Sequence, residues 1–152
     1  MTLTGVNFSG YGADGTTSAA LHIKRTGGTV TINISGASAP TYKSDGATVN
    51  IESTVTVKVT VKDAASAAVI QDARVFLKAD AGGDLAEGTQ ILNALSNASG
   101  IVQDTGFQYT NPQPVLGRVR KGTATPLYKT SPISGTIIDT GFNVLVFLVK
   151  DE

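Results

Sequence analysis

Residues Val49 to Val61 alternate without a break, with Val49, Ile51, Ser53, Val55, Val57, Val59 and Val61 on one side and Asn50, Glu52, Thr54, Thr56, Lys58 and Thr60 on the other. A period of two rich in β-branched residues suits a half-buried strand, whereas a helix would scatter the same side chains around its axis. At ~3.3 Å per residue the run would span roughly 40 Å, about twice an ordinary strand. A single domain rarely needs a strand of that length. The segment is therefore expected to leave one β-unit and enter another.

Composition narrows what the chain can do. Its 152 residues suit one compact domain plus an appendage. Lys+Arg and Asp+Glu are equal at 12 each, which argues against a dedicated nucleic-acid binder and leaves little charge repulsion between copies. The absence of cysteine excludes disulfides, thiolate zinc sites and a cysteine nucleophile. Met1 to Gly5 shows neither the basic nor the apolar region of a signal peptide, and the apolar run Val144 to Val149 is far too short to cross a bilayer. The expectation is a soluble product, not secreted by the standard route, with no membrane partner and very little helix.

The first ~50 residues differ from the rest in pattern. Thr2 to Ser18 is rich in Gly, Ser and Thr, with turn signals at Ser9-Gly10, Gly12 and Asp14-Gly15. Leu21 to Arg25 and Thr29 to Ile34 flank Gly27-Gly28, which reads as a hairpin with a primed turn. A loop containing Pro40 and a turn at Asp45-Gly46 then feed the long strand. Beyond it, seven short strands are expected at Thr54–Lys62, Ala73–Ala79, Gln90–Leu95, Ile101–Tyr109, Pro114–Arg120, Leu127–Ile138 and Phe142–Val149, with Gly, Asn, Asp and Pro clusters between them. That spacing is the pattern of an Ig-like sandwich, and Pro132 must lie at an edge or a bulge because it cannot donate to a ladder. The organisation is thus a β-hairpin or arm over 1–53 and a sandwich over 54–152.

The last strand is apolar on both faces. A sandwich strand ordinarily keeps one face wet, so Leu145, Phe147 and Val149 call for a cover, either the N-terminal hairpin or a neighbouring subunit. Phe76 projects from the Arg74/Lys78 side of its strand, as an aromatic that is either covered or an interface anchor. In the N-terminal hairpin, Leu21 and Ile23 share one face and Val30, Ile32 and Ile34 another. All of these are candidate interface positions.

Catalytic chemistry is thin. His22 is the only histidine, which removes His-based triads and His-rich metal sites and leaves it as a rim residue. Asp80, Asp84 and Glu87 in a Gly-containing loop could offer oxygens to a cation, but they lack the dense ligand spacing of a calcium loop, and a solvated loop is the plainer reading. As a glycosidase pair, Asp84 and Glu87 lack flanking aromatics. Gly117 to Gly122 holds Arg118, Arg120 and Lys121, a basic knot without interleaved aromatics, better suited to salt bridges or an acidic partner than to nucleic acid. Neither a catalytic residue nor a cofactor is expected. Tyr11, Tyr42, Tyr109 and Tyr128 leave open a carbohydrate-binding alternative.

Thr56 to Asp63 followed by Gln71 to Leu77, with Ser96-Asn97-Ala98-Ser99-Gly100 before a later strand, resembles the opening of carboxypeptidase-regulatory-like (transthyretin-like) Ig domains. Pro114 to Lys121, Pro126 to Lys129, Ile133 to Ile137 and the closing Val-Phe-Leu-Val-Lys-Asp-Glu152 are similar to tails of structural proteins of tailed bacteriophages. The resemblance implies an all-β, Ig-like (transthyretin-like) antiparallel β-sandwich in a non-enzymatic virion protein made in the host cytoplasm. Within that class a capsid decoration (cement) protein is favoured over a tail or fibre component. Its expected partners are other virion proteins, a major capsid protein or tail proteins, together with further copies of itself as a homo-oligomer.

Overall fold

The computed structural model describes residues 2–4, 6, 8, 12, 14–35 and 39–151. The expected turn at Ser9-Gly10 and the side chain of Tyr11 lie outside them. Eleven strands follow in order: β1 (Thr2–Thr4), β2 (Leu21–Ile23), β3 (Thr29–Ser35), β4 (Tyr42–Ser44), β5 (Thr48–Asp63), β6 (Arg74–Ala79), β7 (Gln90–Leu95), β8 (Ile101–Tyr109), β9 (Gln113–Lys121), β10 (Tyr128–Ile137) and β11 (Phe142–Leu148). Among the described residues there is no helix. The chain divides into two compact units, Met1–Val55 with Gln108–Thr110, and Thr56–Phe107 with Asn111–Glu152. The 16-residue β5 belongs to both, so one uninterrupted alternation supplies a strand to each.

The first unit is not a hairpin. β2 and β3 lie in different sheets: β2 pairs in parallel with β4, while β3 pairs in parallel with β1 and with the first half of β5. A primed two-residue turn needs positive φ at both central residues, and of Gly27-Gly28 only Gly28, at φ 73, has it. The segment 21–35 is instead one corner-shaped coil, and 42–54 is a second coil stacked beneath it. Their corners are hydrogen-bonded backbone to backbone: Asp45 N–H donates to Ile23 C=O at 3.0 Å, Ala47 N–H to Arg25 C=O at 3.1 Å and Thr48 N–H to Gly28 C=O at 2.9 Å. The register sets Thr29 on Thr48, Val30 on Val49 and Ile32 on Ile51, so like residues stack on like. Ile32 and Ile34 are fully buried; they are core residues, and the expectation of an exposed contact at these two positions is corrected.

The second unit is an Ig-like β-sandwich. One of its sheets is built on the second half of β5, which pairs with β8 and with β11; the other runs β10-β9-β6-β7, antiparallel throughout. The β5–β11 pairing is parallel, Phe142 on Val57 through Leu148 on Asp63, so this pair departs from the antiparallel order expected of the sandwich. Alternation places Val57, Val59 and Val61 of β5, Val75 and Leu77 of β6, and Val115 and Val119 of β9 in the interior, each at most 2% exposed. Each such side chain contributes ~1.5–3 kcal/mol when it leaves water. Pro132 lies on β10, the edge strand of its sheet, where a missing N–H costs no ladder bond.

Two buried polar side chains tie loops to this core. Ser96 Oγ donates to Ile70 C=O at 2.7 Å and accepts from Ala73 N–H at 3.0 Å. Gln113 accepts from Leu85 N–H at 2.9 Å and donates to Pro114 C=O at 2.8 Å and Asp80 C=O at 3.2 Å. Both satisfy backbone groups that would otherwise be stranded away from water.

Candidate interaction surfaces

The strand that most needed a cover is half bare. On β11 Val146 and Leu148 point into the core, while Leu145 and Phe147 are each 48% exposed and Val149, just beyond the strand, 58%. β11 ends its sheet: over 142–148 no strand is paired to its outer edge among the described residues. Just beyond it the chain closes on β10, with Lys129 N–H donating to Val149 C=O and Asp151 N–H to Leu127 C=O, each at 2.9 Å. Beside it, β10 ends the other sheet. An open groove of about 310 Å³ runs between the two edges, bordered by Ser131 to Ser134 and Val144 to Phe147. An apolar row and a strand edge left open between Phe142 and Leu148 thus lie together on one side of the sandwich.

A second surface is charged. Across the antiparallel β6–β9 pair, Arg74 lies opposite Arg120 and Phe76 opposite Arg118. The Arg118 guanidinium sits over the Phe76 ring, 5.8 Å from its centroid, so the half-buried aromatic has a cation over its face. Arg74 Nη1 donates to Asn93 Oδ1 at 3.0 Å. These side chains border a concavity of about 700 Å³.

Other expected sites are local structure. His22 Nε2 lies 2.7 Å from Asp45 Oδ1 on an exposed rim, and the hydrogen bond to His22 holds the Asp45 carboxyl below its usual range. Asp84 accepts from the Asn111 backbone N–H at 3.0 Å and from its side-chain amide at 2.9 Å, and Asp80 from Ala81 N–H at 3.0 Å. Among the described residues no three His, Cys, Asp or Glu side chains converge as a metal site would require. Leu21 and Ile23 are half-buried, as is Val30. Of the tyrosines, Tyr42 is exposed, Tyr109 is half-buried and Tyr128 is buried.

Nothing in the sequence signals what Tyr128 does. Its hydroxyl donates to Asp63 Oδ2 at 2.9 Å, while Asp63 Oδ1 accepts from the backbone N–H groups of Ser66 at 2.8 Å and Ala65 at 2.9 Å and from Ser66 Oγ at 3.0 Å. The Ser66 backbone bond, followed by that of Tyr128, holds the Asp63 carboxyl down at about 2. Burial, and then the bond to Asp63, push the Tyr128 phenol above its ordinary value. This is a structural tie between the end of β5 and the start of β10.

No protein-family model matches the chain, and no curated protein matches it. Among solved structures it resembles the group B streptococcus pilus 2b backbone protein, at 18% identity and TM-score 0.48 over 68% of this chain and 42% of that one. It also resembles a streptococcal ancillary pilin, at 17% and 0.46 over 69% and 33%, and BcpA, the major pilin subunit of Bacillus cereus, at 16% and 0.43 over 64% and 30%. The chain spans less than half the length of each of these pilins. The all-β, Ig-like fold stands. The expectation of a tailed-phage capsid decoration protein is not upheld: the solved structures named above are subunits of bacterial pili.

Proposed function

We propose that this chain is a non-catalytic structural module that joins further copies of itself through the edge and outer face of β11. The observation that carries this reading is the pair Leu145 and Phe147, each about half exposed, on a strand whose outer edge is unpaired over 142–148 among the described residues and meets β10 only beyond it, at Val149 to Asp151. An isolated exposed leucine needs no explanation, but Leu145 and Phe147 on alternate positions of β11, continued by Val149 just past its end, form a contiguous strip. Unpaired edges are ordinarily blunted with charge or proline. β10 carries such a device in Pro132, whereas β11 has no charged residue and no proline between Phe142 and Leu148. A strand added along β11 would gain main-chain hydrogen bonds while its side chains cover Leu145 and Phe147, the arrangement of β-augmentation.

Sedimentation velocity across a concentration series tests the reading. The native chain is expected to gain mass with concentration, and Leu145→Lys with Phe147→Lys to remain monomeric while melting within a few degrees of the parent, since both side chains are exposed. A native chain that stays monomeric up to roughly millimolar concentration, or a double variant that associates as the parent does, would sink it.

A further inference from the structure

We propose that the outer face of the β10-β9-β6-β7 sheet is a docking site for an extended acidic segment of a partner protein, with Arg74, Arg118 and Arg120 receiving its carboxylates. Charge on this chain is segregated. The four strands of this sheet hold six cations, Arg74 and Lys78 in β6, Arg118, Arg120 and Lys121 in β9, and Lys129 in β10, and not one Asp or Glu. The chain as a whole is neutral, so its carboxylates all lie elsewhere. Such a face steers and orients an anionic partner.

The arrangement costs the fold something that a merely solvated face would avoid. Arg74 and Arg120 are direct cross-strand partners, and like charges opposite each other are destabilising. Neither has a carboxylate within ion-pair distance among the described residues. Arg74 leans on the neutral Asn93, and Arg118 on the ring of Phe76. The three guanidiniums therefore retain donors for planar, two-pronged recognition of carboxylates. The concavity of about 700 Å³ that they border with Phe76, Asn93 and Thr130 gives the incoming groups a recess.

Geometry selects an extended peptide over other polyanions. Arg118 and Arg120 are two residues apart on one strand face, a repeat of ~6.6 Å, which is also the repeat of alternate side chains along an extended chain. Nucleobases bind such faces by stacking on aromatic rings, and the one aromatic here, Phe76, already has the Arg118 cation over its face. Sugar rings meet the same obstacle.

Fluorescence anisotropy tests the proposal with a labelled octapeptide of alternating Thr and Glu and its Thr-Gln counterpart. The native protein is expected to bind the Glu peptide, more weakly as salt rises from roughly 50 to 300 mM, and to ignore the Gln peptide. Arg118→Gln with Arg120→Gln should weaken binding by about tenfold or more, and Arg74→Gln alone should weaken it measurably. Lys58→Gln, on β5 in the other sheet, and Phe147→Lys should leave it unchanged; these two keep the outcome separate from self-association through β11. Equal binding of both peptides, arginine variants that bind like the parent, no binding at low salt, or tighter binding of a single-stranded oligonucleotide or a sulfated oligosaccharide would each overturn the assignment.

Discussion

Asp63 shows how one side chain can carry a pH dependence. Its folded carboxyl sits at about 2, below the ordinary 3.8, because Ser66, Tyr128 and Ala65 all donate to the ionised form. A depressed carboxyl stabilises the fold fully above the unfolded value near 4 and loses that contribution as pH falls through 2. The melting temperature of the native chain should therefore drop as pH falls from about 5 to about 2. Asp63→Asn should melt lower at pH 6 but fall less steeply, a difference that thermal melts at several pH values would read. Asp14, held down by backbone N–H groups led by that of Ser18, and Asp45 add their own share in the first unit, so the slope should flatten without vanishing. An undiminished slope in the variant would refute the role given to Asp63. The sequence placed Asp63 at the end of a strand but could not reveal its partner, because Tyr128 is 65 residues away.

Among the elements, the second unit was the more legible. Alternation and turn clusters located its strands to within a few residues, since each half-buried strand writes its own period of two. The parallel pairing of β11 with β5 was not legible, because both strands show the same periodicity whichever way they run. In the first unit the hairpin expectation failed for a related reason. Gly27-Gly28 marks a reversal of the chain but not its turn type, and neighbouring strands in sequence need not pair. A usable signal was present: Thr29-Val30 and Ile32 recur as Thr48-Val49 and Ile51, preceded by Gly27-Gly28 and Asp45-Gly46, and a repeated register of that kind suggests stacked coils. The stack depends on Gly46, at φ 129, where an added Cβ would lie 2.8 Å from the Thr26 carbonyl oxygen. Gly46→Ala should lower the stability of the first unit by about 1 kcal/mol or more. Hydrogen exchange should show faster opening of β3 amides while those of β6 and β9 keep their protection.

At the scale of the whole molecule, two compact units share one strand, and most of the buried apolar side chains belong to the second. A core that includes Val57, Val59, Val61, Leu77 and Leu148 is drawn from within 54–152, so that segment expressed alone should keep a β-type circular dichroism spectrum and melt cooperatively. An unfolded 54–152 would show that the first unit is required for the second to form.

Local chemistry alone was enough to set the class of this protein: β-branched alternation leaves no route to a helix, and a chain with one histidine and no cysteine has few catalytic options. Tertiary structure decided the rest, because it depends on which distant segments meet. Pairing direction, the stacking of one coil on another, the burial of Ile32 and Ile34, the bare side of β11 and the grouping of Arg74 with Arg118 and Arg120 all arise from contacts across tens of residues. Hydrogen bonds and apolar burial between strands do not depend on sequence separation, so a reading confined to neighbours along the chain cannot see them.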